Sequence, residues 1–393
     1  MRQNIVVNRE KEEALITELN AKKDIKSERI KRLLELPDLT KKEDSPIKIL
    51  ADQVMNLPRF ADFDIIDLPR TVTVEEDFDV LNTPKDHPSR RDTDTYYIDE
   101  NHLLRTQMTV MWPYYLRHEG IMEKLEKEGQ LALMASGIVF RKDEIDRKHF
   151  PAFHQIDFLY ICKKDKTVIT QKDLEDVQVE AVQSIFGKDV EYRFLVDSFP
   201  FTNPSIQIEI KWQDQWMEIT GAGLVHSQVF KNFGINPEDY NGWAFSFGIE
   251  RLAMIKMDIP DIRTFWSEDP RITEQFKDIN SKYKEVSKYP AVVRDISFVI
   301  DKNINLNNYY ELVRDEAENS GPVVNGERST TGVIEQVELV DQYENEEKWP
   351  SKKSYTFRII YRSLEKTLTN EEVNIVHNRI VKKTGSELSA IVR

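Results

Sequence analysis

Between residues 137 and 161 two apolar runs, GIVF and FLYI, flank a stretch crowded with charge, and Gln155 and Asp157 interrupt the approach to the second run. Successive strand side chains point to opposite faces, with residues i and i+2 about 6.6 Å apart. The spacing therefore predicts a strand with Ile156, Phe158 and Tyr160 on one face. Phe153, Gln155, Asp157 and Leu159 share the other. The runs IVFR, IQIEIKW, WMEITGAG and WAFSFG read as further strands, adjacent in a largely antiparallel sheet. DLEDVQVEAVQSIFG has helical spacing and stops at Gly187, whereas LEKEGQLALMASG reads as helix or as helix plus strand. Upstream, residues 8 to 36 form a charged helical pattern broken at Pro37 and Pro46, and IKILADQVM is a short helix before Pro58.

The pattern changes after a linker near 278–288. DISFVI is a strand and LNNYYELVRDEAENSG a helix ending at Gly321. VIEQVELVDQYE and KSYTFRIIYRS are strands of alternating polarity. TNEEVNIVHNRIVKKTG is a helix opened by a capping box, Thr369 with Glu372, and closed by Gly385, and SAIVR is a last strand. This β-α-β-β-α-β order is that of a split-βαβ, ferredoxin-like domain. The fold class expected is α+β. The expected boundaries are a helical extension at 1–58, a sheet domain at 59–277, a linker at 278–288 and a small domain at 289–393.

Composition narrows the function. With 393 residues, 40% hydrophobic and 32% charged, the chain suits two or three globular domains. The single cysteine, Cys162, excludes an intrachain disulfide and a cysteine-based zinc site, and fits a reducing compartment. No apolar run reaches the ~20 residues of a membrane helix. The mixed-charge N-terminus does not resemble a targeting peptide, so the expectation is a cytoplasmic protein. A net charge of −14 gives no basic footprint; any nucleic-acid partner would be held by local patches.

Several positions could carry chemistry. Gln155 and Asp157 aim an amide and a carboxylate at one region, as a ligand ammonium requires; a solvent-facing strand edge is the plainer alternative. Arg141, at the end of its strand, could fork onto a phosphate with Lys148 and His149, or simply cap a solvated turn. Gly248 opens a helix with Arg251 in its first turn, where a cation is disfavoured unless an anion or the adjacent Glu250 offsets it. Phe199 and Phe201 flank Pro200 and suit a flat ring or ordinary core. A hairpin turning at Gln213–Gln215 returns Glu218 toward the sheet interior, and Gly221 and Gly223 leave room for close approach.

Together and in order, these pieces resemble the class II aminoacyl-tRNA synthetases, specifically the phenylalanine–tRNA ligases of single-chain mitochondrial type. HPSRRDTDTYYID with HLLRT is similar to the entry into the catalytic sheet. FRKDEID…HFPAFHQID is similar to the second class motif, FPFTNPS to a signature of the phenylalanine branch, and FSFGIERLAM…DIPDIRTFW to the third motif. KYPAVVRDISF resembles the start of the fused anticodon-binding module.

The resemblance implies a class II antiparallel sheet flanked by helices, a C-terminal ferredoxin-like anticodon-binding domain, and ligation of L-phenylalanine to tRNA(Phe) through an adenylate. It implies ATP as substrate and Mg²⁺ as cofactor. Arg141 and Arg251 would be the catalytic cations, and Arg141, His149, Glu218 and Arg251 would bind ATP, with Glu218 holding the metal. Thr109, Gln155, Asp157, Phe199, Phe201, Gly221, Gly223 and Ala244 would form the amino-acid site, with Ala244 beneath the para position. The chain departs from the family pattern at Thr109 for Ser, Trp112 for Gln, Asp157 for Glu and Ser246 for Gly, and Asn203 stands where the bacterial branch has Glu. These departures leave room for another aromatic or modified amino acid. A catalytically silent tRNA-binding paralogue is the competitor from another class. No editing domain is expected, and the chain is expected to be a monomer, with a dimer as the alternative.

Overall fold

The main sheet shows the predicted alternation at work in its longest strands. In this computed structural model, which describes residues 2–286, 289–318, 323–324, 327–328, 333–363 and 366–393, the chain forms two compact units. The first comprises residues 1–141, 152–258 and 278–282. Its eight strands are β1 (Asn4–Val6), β2 (Asp64–Asp67), β3 (Gln130–Phe140), β4 (Ala152–Lys163), β5 (Tyr192–Asp197), β6 (Thr202–Trp212), β7 (Gln215–Val225) and β8 (Tyr240–Gly248). They lie in the order β1-β2-β3-β4-β8-β7-β6-β5, parallel only where β2 meets β1 and β3.

Along β4 the apolar face buries Ile156 and Phe158 completely. Phe158 stacks on Phe245 at 4.5 Å between ring centroids, and Phe60 packs at the same distance from Phe158. This aromatic layer leaves the opposite face of β4 to carry polar groups. The β6–β7 hairpin turns through Gln213 and Asp214 at φ of +47° and +63°, the left-handed pair that matches strand twist.

The helices follow their sequence signals with instructive exceptions. The charged N-terminal pattern splits into α1 (Glu10–Ala21) and α2 (Ile25–Glu35), because the Asp24 side chain accepts the Ser27 N–H and starts a new helix. Buried Glu12 in α1 accepts the N–H groups of Arg70 and Thr71, fastening this segment to the sheet unit. Next come α3 (Pro46–Met55), α4 (Met111–Leu116), α5 (Ile121–Glu128), α6 (Gln171–Phe186) and α7 (Ile249–Met257). LEKEGQLALMASG is helix plus strand: Gly129 ends α5 at φ +66° and β3 begins directly. Gly187 ends α6 as expected, and α3 packs against α6 and α7.

The second unit comprises residues 142–151, 259–277 and 283–393. Strands β9 (Val292–Asp301), β10 (Ile334–Glu344), β11 (Lys352–Tyr361) and β12 (Ile391–Val392) order as β10-β11-β9-β12, with helices α8 (Asn307–Glu318) and α9 (Asn370–Glu387). Element order and strand order are those of the split-βαβ fold. The Thr369–Glu372 capping box forms as predicted. Gly385 does not stop α9, which continues to Glu387 while Ile380 and Leu388 sit in the core; Gly321 lies outside the described residues.

Segment 142–151 belongs to this second unit. Arg147 binds Glu335 at 2.6 Å, Val337 donates to the Ile145 carbonyl, and Arg314 donates to the carbonyl of Asp143. The charged turn is thus held by specific contacts and is not a freely solvated tip.

Candidate active site

The polar face of β4 opens onto a row of small side chains. Asp157 registers with Ala135 on β3 and Ser246 on β8; beyond Ser246 comes Gly221 on β7, then Gln207 on β6. The next row along β4 sets Gln155 beside Gly137 and Gly248. The two cross-strand neighbours of Asp157 are thus small, and the FPFT turn covers the row one strand further, at Gly221. Asp157 itself is 2% exposed, which rules out the solvent-facing edge.

A turn from elsewhere in the first unit closes over this face. Thr109 Oγ1 donates to Asp157 Oδ2 at 2.8 Å, and the Met108 N–H donates to Gln155 Oε1 at 2.9 Å. The second bond fixes the Gln155 amide, leaving its NH₂ and one lone pair for a ligand. Burial pushes the Asp157 carboxyl up to about 7, against the pull of Thr109, Trp112 and Ser246; no charged neighbour contributes. Trp112 Nε1 and Ser246 Oγ are buried and make no hydrogen bond among the described residues, and Ser246 is the cross-strand neighbour of Asp157.

The aromatic wall is built from the FPFT turn. Phe199 and Phe201 stack at 5.9 Å with rings 11° from parallel, and Phe201 meets Trp112 edge-to-face at 5.8 Å. Phe199 rests on Gly221: a Cβ there would lie 2.5 Å from its ring, so glycine is required for the close approach. Gly223 is covered instead by Thr202, whose Cβ would lie 2.4 Å from an added Cβ. Ala244 is buried between Leu159 and Gly223 in the same core that Phe201 packs against.

Two arginines of the first unit are exposed or half exposed. Arg141 is exposed, donates from Nε to the Thr106 carbonyl at 2.8 Å, and stands over the Phe153 ring at 5.2 Å. Thr106 in turn donates its N–H to Asp77 Oδ2 at 3.0 Å; Asp77 is fully buried, and desolvation raises its carboxyl to about 6. Asp77 went unremarked in the sequence because nothing separates it from its acidic neighbours Glu75, Glu76 and Asp79. Arg251, in the first turn of α7, lies 3.7 Å from Glu218, both half exposed.

Glu218 is not interior. A register shift after Ile208 inserts one extra residue in β7, so Glu218 pairs with Glu209 and shares the open face with Gln207 and Gly221. Glu250, read as an offset for Arg251, is buried and bound to His154: Oε2 accepts its N–H at 2.8 Å and Oε1 its ring Nδ1 at 2.5 Å. His154 Nε2 accepts the Leu39 N–H at 2.9 Å.

Thr109, Arg141, Gln155, Asp157, Phe199, Phe201, Glu218, Gly221, Gly223, Ala244 and Arg251 all belong to the first unit, where Thr109, Gln155 and Asp157 are linked through the turn at Met108 and Arg251 pairs with Glu218. His149 falls in the second unit, where its Nδ1 meets Asp146 Oδ2 at 2.9 Å. Among the described residues no group of three or more His, Cys, Asp or Glu could hold a metal by itself, and no helix is long and apolar enough to cross a membrane. A separate open cavity of about 840 Å³ lies on the first unit between Arg59, Lys124 and Tyr160, away from these residues.

Comparison with known proteins gives two family matches: tRNA synthetases class II core domain (F) over residues 32–276, and the ferredoxin-fold anticodon binding domain over 287–393. The chain is 34% identical over 371 residues to the chloroplastic/mitochondrial phenylalanine–tRNA ligase of Arabidopsis thaliana, covering 90% of this chain and 80% of the relative. It is 35% identical to the mitochondrial enzyme of Mus musculus, covering 82% and 73%, and 29% identical to that of Saccharomyces cerevisiae, covering 90% and 88%.

Proposed function

Because the chain belongs to the phenylalanine–tRNA ligases, class II synthetases whose core and ferredoxin-fold anticodon-binding module lie on one polypeptide, we propose how its own residues run their reaction. It ligates phenylalanine to tRNA with ATP as the energy source. Asp157 takes the substrate ammonium, and the free Gln155 amide orients the amino acid beside it. The phenyl ring lies toward Gly221 between Phe199, Phe201 and Ala244. Arg141 meets the α-phosphate as the amino-acid carboxylate attacks phosphorus and pyrophosphate leaves. Arg251 exchanges Glu218 for the terminal phosphates. Preorganised cations suit phosphoryl transfer, which depends on positioning and charge stabilisation. The tRNA ribose hydroxyl then attacks the activated carbonyl and AMP departs.

Glu218 and Glu209 offer hard oxygen donors on one face, with Glu209 also bound to Arg193 at 2.6 Å. Two carboxylates without a protein-only cage fit Mg²⁺, whose remaining ligands are substrate phosphates and water. When bound, the ion would neutralise phosphate charge.

The observation that supports this assignment best is the buried carboxylate in a row of small residues, two strands from a stacked phenylalanine pair. Amino-acid-dependent pyrophosphate exchange tests it: phenylalanine is expected to be the preferred standard substrate, and equal exchange with another amino acid would defeat it. In the same assay Ala244→Gly is expected to raise kcat/KM for para-chloro-phenylalanine at least about tenfold, since it deletes a methyl from the pocket floor. Unchanged discrimination would remove Ala244 from the pocket. Preformed tyrosyl-tRNA is expected to survive incubation with the pure protein; rapid hydrolysis would reveal an editing activity.

The expectation of a cytoplasmic protein is corrected by these relatives, which are named mitochondrial or chloroplastic/mitochondrial enzymes, and a mitochondrial location is proposed instead. A single buried cysteine reports a reducing milieu without telling one reducing compartment from another, and the charge pattern of a first segment is weak ground for an address.

A further inference from the structure

Three buried polar atoms on the site face lack hydrogen-bond partners among the described residues: Asp157 Oδ1, Trp112 Nε1 and Ser246 Oγ. They converge. Ser246 is the cross-strand neighbour of Asp157, Thr109 donates to its Oδ2, and Trp112 follows Thr109 by three residues, on the same side of the helical turn that leads into α4. Leaving an indole N–H buried and unmade is costly, and a leucine or phenylalanine at position 112 would fill the space without that cost. The ring and the N–H of Trp112 thus face different tasks: the ring meets Phe201, while the N–H is buried without a partner among the described residues.

We propose that Trp112 is a positioning residue of the amine subsite: with Thr109 and Ser246 it forms a cradle of neutral donors that keeps Asp157 ionised and aimed at the substrate ammonium. In the ligand-bound site the indole N–H closes onto Asp157 Oδ1. Neutral donors are the apt chemistry here. A lysine or arginine would also hold the carboxylate ionised, but it would cancel the charge and repel the incoming ammonium. The groups facing Asp157 are Thr109 from the turn before α4, Trp112 from α4, Ser246 from β8 and Ala135 from β3, none of them charged. This inference rests on the reading that Asp157 binds the ammonium, and the test separates the two.

The crossed variants Trp112→Phe, which keeps a ring and loses the donor, and Trp112→Gln, which keeps a donor and loses the ring, are compared in the full chain. The readouts are KM for phenylalanine and for ATP in pyrophosphate exchange, over roughly pH 5.5 to 9. Trp112→Phe is expected to raise KM for phenylalanine about tenfold at pH 7 and to move the acid limb of kcat/KM upward, with KM for ATP unchanged within about twofold. Trp112→Gln is expected to keep the limb nearer its original position. An unmoved limb in Trp112→Phe, or equal shifts in both variants, would overturn the proposal, because ring volume alone would then explain position 112. If the parent shows no acid limb, or Asp157→Asn keeps its phenylalanine affinity, the amine reading itself fails, and this inference with it. Melting curves of both variants show whether each is folded, and the contrast between them survives a uniform loss of stability.

Discussion

Asp157→Asn is expected to lower kcat/KM for phenylalanine by more than about a hundredfold while raising the melting temperature of the unliganded protein at pH 8. The two effects share one cause. Burial without a charged partner raises the carboxyl from 3.8 to about 7. The folded chain therefore holds this proton more tightly than the unfolded chain does. Stability present below pH 4 is lost progressively as pH rises toward 7, and above that the ionised group carries its full cost. A shift of this size corresponds to at most about 4 kcal/mol, of which the asparagine variant should recover about 1–2 after local relaxation. The stabilisation should be large at pH 8 and vanish near pH 4. For catalysis the sign reverses, since only the ionised form attracts an ammonium, so parental kcat/KM should fall as pH drops below about 7. Thermal melts and pyrophosphate exchange across pH check both. A variant that is less stable at pH 8, or that activates phenylalanine normally, would contradict this account.

Arg141→Ala is expected to reduce the rate of adenylate formation by about a hundredfold to a thousandfold, the usual effect of deleting one preorganised charge from a transition state. Fold stability should change little, because Arg141 is exposed. Arg141→Lys should recover little, because an ammonium cannot donate to Thr106 and fork onto a phosphate at once. Single-turnover formation of the adenylate is the direct measurement. A loss below about tenfold would place the α-phosphate elsewhere.

Much of the fold was legible along the chain because its signals are local. The alternation in FHQIDFLY put Asp157 and Gln155 on one face of a strand whose other face is solid aromatic core. Gly187 and the Thr369–Glu372 box marked helix ends through backbone geometry that neighbouring residues decide. Local signals misled where packing overrode them: Gly385 is carried inside α9 by Ile380 and Leu388 in the core.

The period of each element, the residues sharing each strand face and, through motif wording, the family can all be read along the chain. Only the tertiary structure decided that β8 lies between β4 and β7, which sets Ser246 beside Asp157 and Gly221 one strand further. It alone bound Thr109 to a carboxylate nearly fifty positions away, shifted Glu218 onto the open face through a bulge, buried Glu250 against His154, and assigned His149 to the second unit. The physical reason is range: side-chain alternation and capping depend on a few bonds of covalent geometry. Burial, and the proton affinities it sets, depend on which distant segments exclude water from the same place.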